Sequence, residues 1–331
     1  MSTPRLNLCI ILSESKRIIK AHSRHFLALS VIFLLPLAFS ILVYPTLQQL
    51  ILQSPKHDAK TLLSQSFQDS TPEIDQESFL LSIFYAVFAI VSSLCGVGSI
   101  TYSVFHGFYG RPVKLISSLK SILYSFLPLL ATTLVCQMIV SGILSVFAGF
   151  LFLVVRLVKF VGFDQFEYSS PYFLGFSIVL SIVLVLILVY LQVKWALAYV
   201  IVVLESSWGI KPLKRSAYLI KGYKLVALSM YLYYSFLVGI LIWSNWETAF
   251  AFRNTDRWKS WGFVLQIVFT STLLTLLFLY FAAANTVLYM YCKAIHGELA
   301  PEIAEEFARE YVRLPFDDEK VPRLVSVVYE T

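Results

Sequence analysis

The chain has 331 residues, of which 58% are hydrophobic and only 14% charged, with a net charge of +6 and a mean hydropathy of +0.75. That balance excludes an ordinary soluble domain and points to a bilayer. The cationic excess belongs with membrane topology and anionic lipid rather than with nucleic acid, since neither an Arg-rich tail nor an aromatic base-stacking platform accompanies it.

Residues 1–25 read as a cytosolic basic amphipathic segment. In SKRIIKAHSRHFLALS, from Ser15, a helical period puts Lys16, Arg17, Lys20 and Arg24 in one arc, with Ile18, Ile19, Ala21 and Phe26 opposite. The first apolar run, 26–44, is long enough to span, and no small-x-small cleavage site follows it, so it reads as a retained signal anchor. The loop 45–78, with five acids against Lys56 and Lys60, is expected on the luminal side. A second span follows at 79–104. The basic cytosolic loop 105–121 contains His106-Gly107 and then RPVKLISSLKSILYS, a weaker copy of the first basic stretch.

The third and fourth runs, 122–155 and 173–203, exceed what a bilayer requires and must tilt, break or project; Pro128 and Gly142 are candidate break points. Lys194 lies inside the fourth run. An intramembrane cation is costly, which makes it a candidate functional residue. Glu205 follows eleven residues later on the same helical face, too far for a direct pair along one helix. Arg215 becomes its candidate partner if the chain turns back at Ser206-Ser207-Trp208-Gly209. The plainer alternative is that Lys194 snorkels to the interface and Glu205 caps or pairs there.

The loop 204–224 carries the densest charge, in WGIKPLKRSAYLIKG. Lys211, Lys214, Arg215 and Lys221 share a helical face opposite Leu213, Ala217 and Ile220, and Pro212 suits a first turn. The basic stretches lead into Ala28-Leu29-Ser30 and Ala227-Leu228-Ser229, which open membrane segments. The last two spans are 225–243 and 263–290, and the sixth ends at His296-Gly297. The tail 291–331 holds nine acids against five bases, a helix opened by Pro301 and closed by Pro315, and a diacidic triplet, Asp317-Asp318-Glu319.

The expected fold is an all-α integral membrane protein: six transmembrane helices over 26–290, arranged as three hairpins, each preceded by a basic amphipathic cytosolic helix. Lys and Arg number 18 in the N-terminal segment, the 105–121 and 204–224 loops and the tail, against 7 in the alternate loops, which places both termini in the cytosol. Endoplasmic reticulum or other endomembrane, or plasma membrane, fits this reading. Cys9, Cys95, Cys136 and Cys292 avoid the luminal loops and predict no disulfides; Cys9 and Cys292 are candidate palmitoylation sites. No N-glycan sequon occurs, and the five histidines match no metal-ligand spacing.

No P-loop, G-x-S-x-G, H-E-x-x-H or paired intramembrane carboxylates appear, so neither catalysis nor a cofactor is expected. The expected role is non-enzymatic: contact with anionic lipid, or organisation of protein partners, at the cytosolic leaflet. Lys16, Arg17, Lys20, Arg24, Lys211, Lys214 and Lys221 would meet headgroups. The alternative is a transporter or lipid translocator with a polar site at Lys194, Glu205 and Arg215.

The series Lys194-Trp195, Glu205, Leu213, Arg215-Ser216, Leu219 and Lys221-Gly222 resembles the signature of a six-helix membrane family that includes the membrane domain attached to some bacterial glycerophosphodiester phosphodiesterases. With ESKRIIKAHSRHFLALSVIFLLP near the start, the chain is similar to a group of plant multi-pass membrane proteins with no assigned activity. The resemblance implies six helices and singles out Lys194, Glu205, Arg215 and Gly222. It implies no phosphodiesterase chemistry, because the hydrolase of those proteins is a separate soluble domain. Pro212 departs from the pattern.

Overall fold

The computed structural model describes residues 6–52, 76–110, 114–160, 171–251 and 261–299. The loop with Lys56 and Lys60 that is expected on the luminal side, Arg5, Arg111, Arg253, Arg257, Lys259, Trp258, the helix expected from Pro301 and the Asp317-Asp318-Glu319 triplet lie outside them, as do the side chains of Lys159 and Trp246. The described residues are helical throughout their ordered elements and contain no strand. Six helices are long and apolar enough to cross a membrane: Ser23–Pro45, Phe79–Phe108, Leu115–Val158, Phe173–Glu205, Lys224–Asn245 and Trp261–Ile295. Each overlaps one of the expected runs, and together they make this a membrane-embedded multi-pass protein.

Two units divide the chain, Met1–Tyr289 and Met290–Thr331. The first opens with α1 (Leu8–Ala21), which buries Ile11, Ser15, Ile18 and Ile19. Lys16, Arg17, Lys20 and Arg24 are exposed, and so is Ala21. His22, at φ −123° and ψ 40°, interrupts the helix, so the basic stretch becomes two helices, α1 and α2 (Ser23–Leu29). A π-helical turn over Ser30–Leu34 follows, in which the Leu35 amide reaches back to the Ser30 carbonyl. Pro36 explains the wider turn: it offers no N–H and its ring crowds the carbonyl four residues back. The first membrane helix then continues as α3 (Leu35–Leu52).

The second span is α4 (Gln76–Phe108). It packs closely on the first at Gly96, where a Cβ would lie 2.9 Å from Leu34 Cδ2. Small residues permit this approach between membrane helices. α5 (Leu115–Phe160) is one helix of 46 residues, about 69 Å long and roughly twice the hydrocarbon thickness. The second basic stretch is therefore the opening of α5 rather than a separate helix, since no breaker separates Leu115 from the apolar run. Pro128 and Gly142 are both accommodated within it.

The fourth segment does break. α6 (Pro171–Lys194) has 24 residues and ends at the lysine itself; at about 36 Å it crosses a bilayer alone. Trp195–Leu197 form a turn, and a short helix α7 (Ala198–Glu205) follows, burying Ala198, Val200, Ile201 and Val202. Lys194 thus closes a span, where a cation favours the carbonyl end of the helix dipole. α6 exposes apolar side chains over most of its circumference, among them Leu174, Val179, Ile182, Val185 and Leu186. A helix with so broad an apolar surface left uncovered by protein is stable only in lipid.

α8 (Ile210–Leu219) buries Pro212, Leu213, Ser216 and Leu219. α9 (Lys224–Ala251) and α10 (Trp261–Ile295) complete the set. Buried Ala38, Leu42 and Leu274, with Val238 and Leu241 against them, join α3, α9 and α10. Leu94, Leu129 and Val202 join α4, α5 and α7. In the second unit the end of α10 is closed by the Gly297 amide bonding Ala294 O, the Glu298 amide bonding Lys293 O, and His296 Nδ1 donating to Cys292 O at 2.8 Å. All four cysteines are free thiols, Cys9 exposed and Cys292 buried, which leaves Cys9 the accessible acylation candidate of that pair.

Candidate functional site

The resemblance signature falls on the α6–α7–α8 region, and the structure shows what several of its positions do. The break after Lys194 strands polar backbone inside the protein. Ala196 N–H takes the Val193 carbonyl that Leu197 N–H would use in a continuous helix. Leu197 is fully buried, so its amide needs another acceptor. Ser216, also fully buried, supplies one: its Oγ accepts from Leu197 N–H at 3.1 Å and donates to Lys194 O at 2.8 Å. One hydroxyl on α8 thus satisfies a donor and an acceptor across the break.

The turn from α7 into α8 is built in the same way. Ser206 is left-handed at φ 50° and ψ 30°, and Gly209, at φ 73° and ψ −125°, precedes α8. The Gly209 amide donates to Thr132 Oγ1 at 3.2 Å, while Thr132 donates to Pro128 O at 2.8 Å. This reversal brings Arg215 back to Glu205, with Nε 3.4 Å from Oε2. Glu205 Oε1 accepts from the Tyr289 hydroxyl of α10 at 2.8 Å. Both carboxylate oxygens are therefore engaged, one by a guanidinium and one by a phenol, at side-chain exposures of 24% for Glu205 and 30% for Arg215.

Of the three expected polar-site residues, the structure joins Glu205 with Arg215. Lys194 takes part through its carbonyl, whereas its ammonium rests over the Tyr190 ring, 4.6 Å from the centroid. Lys211, Lys214 and Lys221 are exposed; Arg215, on the same stretch, is half-buried. Gly222 has φ 102° with nothing near a prospective Cβ, so its glycine serves the backbone conformation after α8 rather than space. Ser216, Tyr289 and Thr132 were not anticipated as participants. The Arg215-Ser216 pair of the signature was the available signal for Ser216; nothing in the sequence marks Tyr289 or Thr132.

A second polar cluster links α2, α4 and α5. His25 Nε2 lies 2.9 Å from Ser103 Oγ, which lies 2.9 Å from Ser118 Oγ, and Ser118 Oγ is 3.4 Å from the same nitrogen. Ser103 Oγ also donates to Ser99 O at 2.7 Å, and the cluster joins the three helices as a polar clasp. Among the described residues no group of three or more His, Cys, Asp or Glu side chains could hold a metal ion.

No curated protein and no solved structure matches the chain. A family model described as a domain of unknown function (DUF8558) matches residues 3–320, and the chain belongs to that family.

Proposed function

We propose that this protein is a non-enzymatic multi-pass membrane protein, with both termini in the cytosol, that holds anionic lipid and organises partners at the cytosolic leaflet. The observation that carries the reading is the partition of α1 and α8. Lys16, Arg17, Lys20, Lys211 and Lys214 are exposed, while Ile11, Ile18, Ile19, Leu213 and Leu219 are buried. Arg24 and Lys221, exposed just beyond these helices, extend the two basic surfaces. Helices anchored by their apolar sides with cations outward suit a headgroup layer, where each cation gains about 1 kcal/mol from anionic lipid. The hairpin repeat, the cytosolic orientation and kinship with the plant group and the wider six-helix family belong to the same proposal.

The alternative is transport or lipid translocation around Lys194, Glu205 and Arg215; of these, Glu205 is held by Arg215 and Tyr289, and the Lys194 ammonium stands apart from them. The closed Glu205–Arg215 pair favours a holding role. The test is to isolate the full chain in polymer-bounded discs of native membrane and compare it with a variant carrying Gln at Lys16, Arg17, Lys20, Arg24, Lys211, Lys214 and Lys221. Anionic-lipid enrichment and recovered partners should both fall in the variant. Unchanged lipid and partners would overturn the reading, and substrate flux lost on Lys194→Ala in proteoliposomes would favour transport.

A further inference from the structure

Two cations near the broken fourth segment have no described ion-pair partner and converge on one ring. Lys194 closes α6 and Lys224 opens α9, which packs against α6. Lys194 Nζ lies 4.6 Å and Lys224 Nζ 5.7 Å from the centroid of Tyr190. Among the described residues neither lysine forms an ion pair, and Glu205, the carboxylate nearest in sequence, is already held by Arg215 and Tyr289. An aromatic face attracts each ammonium, but the two repel one another, so the arrangement favours an anion. The first turn of α9 begins at Lys224 and adds amide polarity of the same sign.

The surroundings indicate which anion. Tyr190 is 49% exposed, and the α6 surface leading to it is apolar and open at Val183, Leu186 and Ile187. Leu225 and Leu232 are likewise exposed on α9. The cations therefore stand at the end of a lipid-facing apolar strip, which matches a molecule with a charged head and long hydrocarbon tails. We infer that Lys194, Tyr190 and Lys224 form a discrete headgroup site for an anionic phospholipid. Its phosphate sits by the two ammonium groups, and its acyl chains lie along Val183, Leu186 and Ile187. The inference rests on the reading that this end of the helices meets an anionic leaflet, but it requires a specific pair of cations rather than the basic surface as a whole.

The full-length protein is reconstituted in phosphatidylcholine with a minor fraction of phosphatidic acid, transferred to detergent, and its retained lipids are counted by native mass spectrometry. The wild type should keep one phosphatidic acid per chain. Lys194→Gln/Lys224→Gln should weaken retention by about fivefold per cation, roughly 25-fold for the pair. Lys194→Arg/Lys224→Arg should keep the lipid, which separates loss of charge from loss of fold, and Lys211→Gln/Lys214→Gln should keep it too. Equal retention by the Lys194→Gln/Lys224→Gln variant, loss in the arginine variant, or equal loss in the Lys211 control would overturn the site. Displacement by millimolar inorganic phosphate would show that the cations read phosphate alone and would overturn the lipid assignment. The seven-cation variant reports general lipid enrichment in native discs, so either result can fail without the other.

Discussion

Replacing Ser216 by Ala removes one oxygen and leaves a buried amide and a part-buried carbonyl without described partners. The Oγ accepts from Leu197 N–H at 3.1 Å and donates to Lys194 O at 2.8 Å, and both Ser216 and Leu197 are fully buried. An unsatisfied buried polar group costs about 1–3 kcal/mol. In membranes the unfolded reference also finds partners, and measured interhelical hydrogen bonds average about 0.6 kcal/mol. Taking the lower end for each group gives a loss of about 2 kcal/mol. Equilibrium unfolding in mixed micelles, followed by far-ultraviolet circular dichroism, measures it. Thr at the same position keeps the hydroxyl and should recover part of the loss. A Ser216→Ala protein within about 0.5 kcal/mol of wild type would refute the argument that this hydroxyl joins the two sides of the break.

The other predictions use the same unfolding measurement. Tyr289→Phe removes the phenol that donates to Glu205 Oε1 at 2.8 Å and should cost about 1.5 kcal/mol, while an unchanged protein would mean that Arg215 alone satisfies the carboxylate. Gly96→Val should cost about 1–3 kcal/mol, because even a Cβ there would lie 2.9 Å from Leu34 Cδ2; a neutral result would show that the first two spans are not closely packed at this point. Ser206→Gly should stabilise by about 0.5–1 kcal/mol through release of a left-handed serine at φ 50°, and destabilisation would show that the serine side chain matters more than the backbone.

The six membrane segments were legible because the signal is cumulative: each run contains enough apolar residues to outweigh any one exception. Breaks within them were less legible. Pro128 looks like a helix breaker, yet α5 continues through it. The segment that does break, after Lys194, contains neither Pro nor Gly at the break, in Lys194-Trp195-Ala196-Leu197. Its cause is tertiary: Ser216, 22 positions away from Lys194, offers the partners that make the interruption tolerable. Local propensity carries no record of such a partner. His22 shows the same limit, since the basic period runs smoothly through a residue at which the helix is interrupted.

Charge was legible as a total and only in part as a set of roles. Lys211, Lys214, Arg215, Lys221 and Lys224 count equally toward topology in the sequence, with Arg215 distinguished as the candidate partner of Glu205 and Lys194 set apart inside an apolar run. The structure divides them. Arg215 turns inward to Glu205, Lys194 and Lys224 flank Tyr190, and Lys211, Lys214 and Lys221 remain exposed. That division follows from the reversal at Ser206–Gly209, because an uninterrupted helix from α7 into α8 would place Arg215 ten residues and about 15 Å beyond Glu205. The turn therefore does more than connect two helices: it decides that Arg215 is the cation that neutralises Glu205, while Lys211, Lys214 and Lys221 stay on the surface.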